Sequence, residues 1–233
     1  MVESATFDGT NDYMARAALS GVSDSKTGIL SAWVKPSTSG THTFFYSHST
    51  DLFSLAATTA DKFQIIGIGN AGHITVSLTT AASTVTNSWT HILASWDINS
   101  ATYNIYLNDA VSNDGTSGLF TEAMDYNNVT AAVVGALGAG TFKITSLMAE
   151  FYFAPGQYLD FSVTNNRRRF ITSSLKPVYL GADGSAPTGT APAVYLHLGP
   201  AETVANFATN RGTGGDFTIT GALAAGSTSP SDF

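Results

Sequence analysis

Two adjacent stretches of the sequence decide the fold class: Trp89-Thr-His-Ile-Leu-Ala-Ser-Trp-Asp97 and Thr102-Tyr-Asn-Ile-Tyr-Leu-Asn108. The second stretch alternates between two faces, one with Tyr103, Ile105 and Leu107 and the other with Asn104, Tyr106 and Asn108. This alternation is typical of a strand that buries one face and exposes the other to water. The first stretch is apolar on both faces, which predicts a strand in the middle of a sheet. Because a short polar turn joins them, the two are predicted to form an antiparallel hairpin.

Further strands are predicted on both sides of this hairpin. Apolar or alternating runs bounded by turn residues mark them, at residues 2–7, 29–35, 43–47, 52–56, 63–68, 74–78, 132–136, 142–153, 193–198 and 216–223. One helix is predicted over 160–171, where Asp160 is a suitable N-cap and apolar residues recur at helical spacing. The pattern as a whole predicts an all-β protein of two antiparallel sheets with one short helix.

Composition narrows the function classes. Of the 233 residues, 43% are hydrophobic and 12% are charged, which favours a folded chain with a substantial core over a disordered one. The formal net charge of −7 disfavours a nucleic-acid-binding surface. The sequence has no cysteine, which excludes disulfides and thiolate metal sites. It shows neither a signal-peptide pattern nor an apolar run of membrane-spanning length, so we expect folding in the cytoplasm and no membrane span.

Several motifs resemble, in the same order along the chain, those of concanavalin A-like jelly-roll proteins of the LamG and pentraxin types. They are Phe7-Asp-Gly-Thr-Asn-Asp-Tyr13, Ala32-Trp-Val-Lys-Pro36, Trp89-Thr-His-Ile92, Tyr103-Asn-Ile-Tyr-Leu-Asn108, Ile144-Thr-Ser-Leu-Met-Ala-Glu-Phe-Tyr-Phe153 and Leu159-Asp160. The resemblance implies a two-sheet jelly-roll sandwich, which we expect to occupy residues 1–180. Residues 181–233 are expected to begin with a linker rich in Gly and Pro. Their strands would complete the sandwich or contact a neighbouring subunit, since two strands cannot form a core alone.

The later part of the chain carries a second resemblance. Asn166-Arg-Arg-Arg-Phe-Ile171, Leu180-Gly-Ala-Asp-Gly184 and Gly226-Ser-Thr-Ser-Pro-Ser-Asp232 resemble the last part of LamG-like proteins encoded by tailed bacteriophages. This resemblance implies a virion protein that folds in the host cytoplasm and decorates the capsid or belongs to the tail. The partners it implies are other virion proteins, with the chain as an oligomer in the assembly.

Glycoside hydrolysis is not expected, although the same superfamily includes glucanases. Retaining glycosidases need two carboxylates about 5 Å apart, and the family's enzymes place them in a Glu-x-Asp-x-Glu strand motif. No two glutamates of this chain lie two or four residues apart; they are Glu3, Glu122, Glu150 and Glu202. A Gly-x-Ser-x-Gly motif is also missing, and the five histidines are scattered. We therefore predict a protein that is not an enzyme, with Glu150 as an outward or hydrogen-bonded strand residue.

Calcium is the one cofactor that the resemblance suggests, because many relatives bind it with loop oxygens. The candidate ligands are Asp97, Asn99 and Asp109, and further candidates are Asn108 and the loop with Asp8, Asn11 and Asp12. Asp and Asn are also ordinary turn residues whose side chains bond their own backbone. No cofactor is therefore expected, and a calcium site in one of these loops is the alternative.

A glycan site needs an aromatic platform with polar side chains around it. Tyr106 is the best candidate in the sequence, because it alternates onto the same face as Asn104 and Asn108. Trp96, Tyr126 and Tyr152 are further candidates. The alternative is that Trp96 and Tyr152 fill the core and that Tyr106 is a cross-strand packing residue. Separately, the cluster of Arg167, Arg168 and Arg169 is a candidate contact for an acidic partner.

Two functions remain open from the sequence. The first is a non-enzymatic structural protein of a tailed-phage virion, with host-surface polysaccharide as an additional ligand. The second is a carbohydrate-binding lectin or adhesion module without a structural role. A glycoside hydrolase is a distant third.

Overall fold

The computed structural model describes residues 3–48, 53–114, 119–127, 130–138 and 140–232. Its strands are β1 (Ala5–Asp8), β2 (Tyr13–Arg16), β3 (Thr27–Pro36), β4 (His42–His48), β5 (Phe53–Ala57), β6 (Phe63–Ile68), β7 (Ile74–Thr79), β8 (Thr90–Asp97), β9 (Thr102–Leu107), β10 (Ala110–Val111), β11 (Ala131–Val134), β12 (Thr145–Pro155), β13 (Val194–His197), β14 (Thr218–Thr220) and β15 (Ala224–Ala225). A short helix, α1, spans Thr164–Arg167, and a 3₁₀ helix spans Val204–Ala208. Within the described residues, no helix has the length and apolar character needed to cross a membrane.

The strands form two antiparallel sheets. The first sheet has the order β10-β9-β8-β3-β12-β1-β15, and the second has the order β14-β2-β11-β4-β5-β6-β7. Strand β13 also belongs to the first sheet, where it shares one edge of β12 with β1. The prediction of an all-β, two-sheet antiparallel sandwich is confirmed.

The predicted hairpin forms from β8 and β9, and β8 lies in mid-sheet between β9 and β3. The face of β9 that was predicted to be buried meets the core between the sheets, where Ile105 is fully buried and Tyr103 and Leu107 pack partly buried. In that core the rings of Phe53 and Phe153 stack 4.6 Å apart and bring the two sheets together. A fully buried aromatic side chain of this kind contributes roughly 1.5–3 kcal/mol to stability.

The outer face of the first sheet, which is turned away from the second sheet, is not open to water. A segment from residue 159 to 180, here called the outer segment, packs Phe161, Phe170 and Leu180 against it. As a result Tyr106 on the outer face of β9 is only 7% exposed. The expectation of a solvated face on β9 was wrong at this position, because a segment distant in sequence covers it.

The predicted helix over 160–171 was too long, since α1 has four residues. The Asp160 carboxylate accepts a hydrogen bond from the Ser162 amide (2.9 Å), and the Asn166 side chain donates to the Asp160 carbonyl (2.8 Å). Side chains thus form hydrogen bonds with backbone groups that would bond to one another in a longer helix. The chain continues instead as a series of turns.

The three last strands join both sheets of the same chain. Strands β13, β14 and β15 pair with β12, β2 and β1, respectively. The predicted strand over 216–223 is interrupted between β14 and β15 at Gly221, whose φ is +84°. A Cβ atom there would lie 2.3 Å from the Asp12 carboxylate, so the turn requires glycine.

Candidate functional site

A pocket of about 360 Å³ lies on the outer face of the first sheet, where β3 ends and β8 begins. Its volume is within the usual range for small-molecule sites. The lining comes from five separate parts of the chain, with Trp33, Asn87, Ser88, Trp89, Asn108, Ser174, Leu175 and Pro230.

Trp33 forms the inner wall of the pocket and is held from one side by His91. The two rings are stacked at 4.6 Å with an angle of 22° between their planes, as expected for residues that face each other across β3 and β8. The His91 Nε2 atom lies 2.9 Å from the Ser31 hydroxyl. Burial lowers the pKa of His91 to about 3, so the ring that supports Trp33 is uncharged at neutral pH.

Trp89 is the more exposed of the two indoles in the pocket. It packs against the small cluster of Trp33, Ala149 and Ile171. Its indole N–H donates a hydrogen bond to the Thr228 hydroxyl (3.2 Å), so the orientation of the ring is fixed. The half-buried Trp89 is therefore the aromatic surface on which a ligand in this pocket can stack.

Amide and hydroxyl groups surround the two indoles. Asn87 and Ser88 are exposed in the connection before β8, and the Asn87 amide N–H donates to the Pro36 carbonyl (2.7 Å). Asn108 is fixed by its side-chain oxygen Oδ1, which accepts a hydrogen bond from the His91 backbone amide (2.8 Å). None of the described residues that line the pocket is charged. The site therefore offers apolar contact and neutral hydrogen bonding.

The structure separates the three residues of the predicted glycan site. Asn108 lines the pocket, but Tyr106 lies beneath the Arg167 guanidinium, 4.6 Å from its ring centre. The Asn104 amide nitrogen is buried and has no hydrogen-bond partner among the described residues. Tyr106 is thus a packing residue of the outer face and not an exposed platform.

The three candidate calcium ligands do not meet at one point. Asp97 and Asn99 lie at the turn of the β8–β9 hairpin, whereas Asp109 follows β9 at its other end, about 20 Å away along the strand. The Asp97 carboxylate accepts hydrogen bonds from the Asn99 amide (3.0 Å) and the Ser100 hydroxyl (2.9 Å). In the described part of the chain, no three His, Asp or Glu residues converge as a metal site. Calcium binding stays a prediction.

The alternative calcium loop is likewise held together by its own hydrogen bonds. The Asp8 carboxylate accepts from the amides of Thr10, Asn11 and Asp12. These bonds lower the pKa of Asp8, with the Thr10 amide as the largest cause. The Asp12 carboxylate accepts from the Ala222 amide (2.7 Å).

Two of the three arginines attach the outer segment to the sheet. Each oxygen of the Asp109 carboxylate has one arginine partner. Arg167 Nε lies 2.6 Å from Oδ1, and a terminal guanidinium nitrogen of Arg168 lies 2.6 Å from Oδ2. Arg168 first, and then Arg167, lower the pKa of Asp109. Arg169 donates to the Pro187 carbonyl (2.5 Å). Contact with an acidic partner stays a prediction for these residues, all of which have partners within the chain.

Glu150 differs from its expected place on the surface. It is 3% exposed on β12, opposite Trp33 on one side and His197 on the other. Burial raises the pKa of its carboxyl to about 8. The expectation of an outward position on the surface was wrong, because the outer segment covers this strand as well.

Sequence reasoning missed both indoles of the pocket. Trp33 and Trp89 were recognised as parts of strand motifs, where a tryptophan is most simply explained as core. A usable signal was present in Asn87-Ser-Trp89, in which polar residues directly precede an aromatic ring at the start of a strand. The residues that complete the pocket, Ser174 and Pro230, lie too far along the chain for any local pattern to place them there.

Comparison with known families gives one match over most of the chain. The model of the concanavalin A-like lectin/glucanases superfamily matches residues 8–154. No curated protein matches the chain in a sequence comparison.

Similar folds are found among solved structures of bacterial and animal proteins. A Bacteroides ovatus protein to which carbohydrate binding is attributed is 14% identical with a TM-score of 0.66, and the match covers 97% of this chain and 60% of that one. A heptameric SAP-like pentraxin from Limulus polyphemus is 10% identical with a TM-score of 0.59, covering 100% and 98% of the two chains. Domains LG4-5 of the mouse laminin alpha1 chain are 13% identical with a TM-score of 0.51, covering 69% and 44%. At these identities the likeness shows the fold alone.

Proposed function

The chain belongs to the concanavalin A-like lectin/glucanases superfamily, and from this premise we propose that it binds an uncharged carbohydrate in the pocket lined by Trp33 and Trp89. Binding takes place without bond cleavage. The Bacteroides ovatus protein with the similar fold supports a carbohydrate as the ligand class. This chain spans 60% of the length of that protein, so the proposal concerns the pocket alone.

The single observation that carries the proposal is the composition of the pocket. Sugar rings bind proteins by stacking their C–H faces on aromatic rings while their hydroxyls bond to amide and hydroxyl groups. The pocket has both kinds of group, with the Trp89 indole beside Asn87, Ser88 and Asn108. The neutral lining favours an uncharged sugar over an acidic one, because an anion would have no cationic partner in the pocket.

A glycan array of bacterial and animal polysaccharides tests this proposal. The full chain is expected to give hits among uncharged glycans, and Trp89→Ala should weaken the affinity for those hits about tenfold or more. Tyr179→Ala is the matched control, since Tyr179 is an aromatic residue with 64% exposure that does not line the pocket. An array without hits would overturn the proposal, and so would hits that Trp89→Ala leaves unchanged.

We also propose a structural role in a tailed-phage virion, as capsid decoration or tail component. The resemblance of residues 166–232 to phage-encoded LamG-like proteins supports it. Because β13, β14 and β15 pair within the chain, the contact is expected on another surface. Two exposed apolar side chains lie at the edge strand β7 of the second sheet: Ile74 (42% exposed) begins β7, and Phe120 (50% exposed) donates its backbone amide to the Ile74 carbonyl (3.0 Å). Replacing both by Ser should prevent incorporation into assembled particles, and normal incorporation would count against this surface.

A further inference from the structure

A seven-residue segment crosses the first sheet beside the pocket and is held at both ends. This segment, residues 226–232, is called the strap. At its beginning the Gly226 amide donates to the Ser4 carbonyl (2.8 Å), and the Ser4 hydroxyl donates to the Thr228 carbonyl (2.6 Å). A Cβ atom on Gly226 would lie 1.8 Å from the Ser4 hydroxyl oxygen, so only glycine permits this close approach.

The far end of the strap is a tight turn anchored to the outer segment. The Ser229 amide donates to the Asp232 carboxylate (2.7 Å), and the Ser231 amide donates to the Ser229 hydroxyl (3.1 Å). The Lys176 ammonium donates to the Ser231 carbonyl (3.1 Å). This turn places Pro230 in the lining of the pocket.

The middle of the strap contacts Trp89, the more exposed tryptophan of the pocket, through Thr228. The Thr228 hydroxyl oxygen accepts one hydrogen bond from the Trp89 indole N–H (3.2 Å) and another from the Lys35 ammonium (3.1 Å). An indole has a single hydrogen-bond donor, and here Thr228 takes it. The plane of the Trp89 ring is therefore tied to the position of the strap.

We infer that the strap is part of the binding site: Thr228 positions the Trp89 indole for stacking, and Pro230 completes the wall opposite the sheet. This inference rests on the proposed function. A ring that is oriented before the sugar arrives loses less freedom on binding, and pre-organisation of this kind raises affinity without any new contact. Thr228 is thus a positioning residue, which acts on the ligand through Trp89.

Acrylamide quenching of tryptophan fluorescence tests the positioning without any sugar. Trp33 and Trp96 are 3% and 0% exposed, so the quencher reaches mainly the third tryptophan, Trp89. Thr228→Val keeps the shape of the side chain but removes the acceptor, and it should raise the quenching constant. Thr228→Ser keeps the hydroxyl and should restore the original value. Equal quenching in the original chain and in Thr228→Val would overturn the inference.

Calorimetry with maltohexaose, cellohexaose and laminarihexaose, each titrated separately, tests the effect on binding. Thr228→Val should weaken the affinity about fivefold, the effect of one lost hydrogen bond, and deletion of residues 227–233 should weaken it further. The matched control is Thr220→Val, which alters an exposed threonine on β14 and should change nothing. A circular dichroism spectrum equal to that of the full chain checks that the deletion variant is folded.

The outcomes separate this inference from the proposed function. If the full chain binds one of the three sugars and Thr228→Val binds it equally well, the inference about the strap is wrong and the proposed function stands. If the full chain binds none of them and the glycan array is also blank, the proposed function fails. The quenching experiment then decides by itself whether the strap fixes Trp89.

Discussion

Glu150 is the single residue whose position departs most from ordinary protein chemistry. Its carboxyl is buried, and the groups that face it across the neighbouring strand are His197 and Tyr195. Burial lowers the pKa of His197 to about 4, with Arg211 as the next cause. Burial, followed by the charge of Glu150, raises the pKa of Tyr195. At neutral pH this group of side chains is therefore uncharged, which is the state that a buried site without ion pairs favours.

The pH dependence of stability should show a falling branch that is due to Glu150. The folded chain holds a proton on Glu150 up to about pH 8, whereas the unfolded chain releases it near the ordinary pKa of 4.5. The folded state therefore binds more protons between these values, and the free energy of unfolding falls as the pH rises through them. The fall amounts to about 1.4 kcal/mol for each pH unit that separates the folded-state pKa from the unfolded-state pKa.

Urea denaturation of Glu150→Gln at several pH values measures this branch. The variant should be more stable than the original chain at pH 8, and its advantage should shrink towards pH 5. His91 and His197 act in the opposite sense, because their lowered pKa values make the folded chain lose stability as the pH falls below 6.5. Parallel curves for Glu150→Gln and the original chain would contradict the assignment.

At the scale of the element, the attachment of the outer segment decides which face of the first sheet is available. Asp109, directly after β9, receives Arg167 and Arg168 of this segment, and Phe161 and Phe170 pack beneath it. The side chain of Arg167 is only 12% exposed, so its ion pair is screened less than a surface pair. The ion pair thus holds the outer segment over Tyr106.

Asp109→Asn should loosen the outer segment. Hydrogen bonds to charged groups contribute roughly 1.5–3 kcal/mol when buried, and we expect a loss of stability at the lower end of that range. Amide hydrogen exchange should accelerate at Phe170 and Leu180. Asp114→Asn is the control, because its ion pair with Lys62 is more exposed (48% and 28%) and should contribute little. Unchanged exchange in Asp109→Asn would show that packing alone holds the segment.

The elements differ in how far the sequence predicts them. The predicted strand 63–68 has the observed bounds, and both strands of the β8–β9 hairpin agree within one residue, because alternation is a local property. Strand β2 (Tyr13–Arg16) was missed, because Tyr13-Met-Ala-Arg16 shows no clear apolar and polar alternation. Of the pocket, only Asn108 was predicted. The exposure of Trp89 and the burial of Tyr106 depend on segments that lie 60 to 140 residues away along the chain.

For the whole molecule, the residues after 180 are a structural part of the sandwich. Strand β13 covers one edge of β12, and Val194 and Leu196 are fully buried in the core between the sheets. Phe207 of the 3₁₀ helix is also fully buried and lies against Phe7 of β1, with ring centres 6.5 Å apart. These contacts unite the beginning and the end of the described chain in one hydrophobic core.

A fragment of residues 1–180 should therefore fail to fold. It would expose the β12 edge and leave a space where Val194, Leu196 and Phe207 pack, a loss far larger than the stability of a typical domain tolerates. Circular dichroism and size-exclusion chromatography of the fragment check this, with the 227–233 deletion as a folded reference. A soluble fragment with cooperative thermal unfolding would contradict the expectation and would support a separate domain in 1–180.

The position of β1 also determines when the first sheet can be completed during synthesis. Ala5 is paired with Met148 on one side and with Ala225 on the other. Strand β1 leaves the ribosome before the other described strands, and it has to wait for its second neighbour until β15 has been translated. Contacts between such distant residues form slowly. One edge of β1 therefore stays unpaired in the nascent chain until β15 emerges.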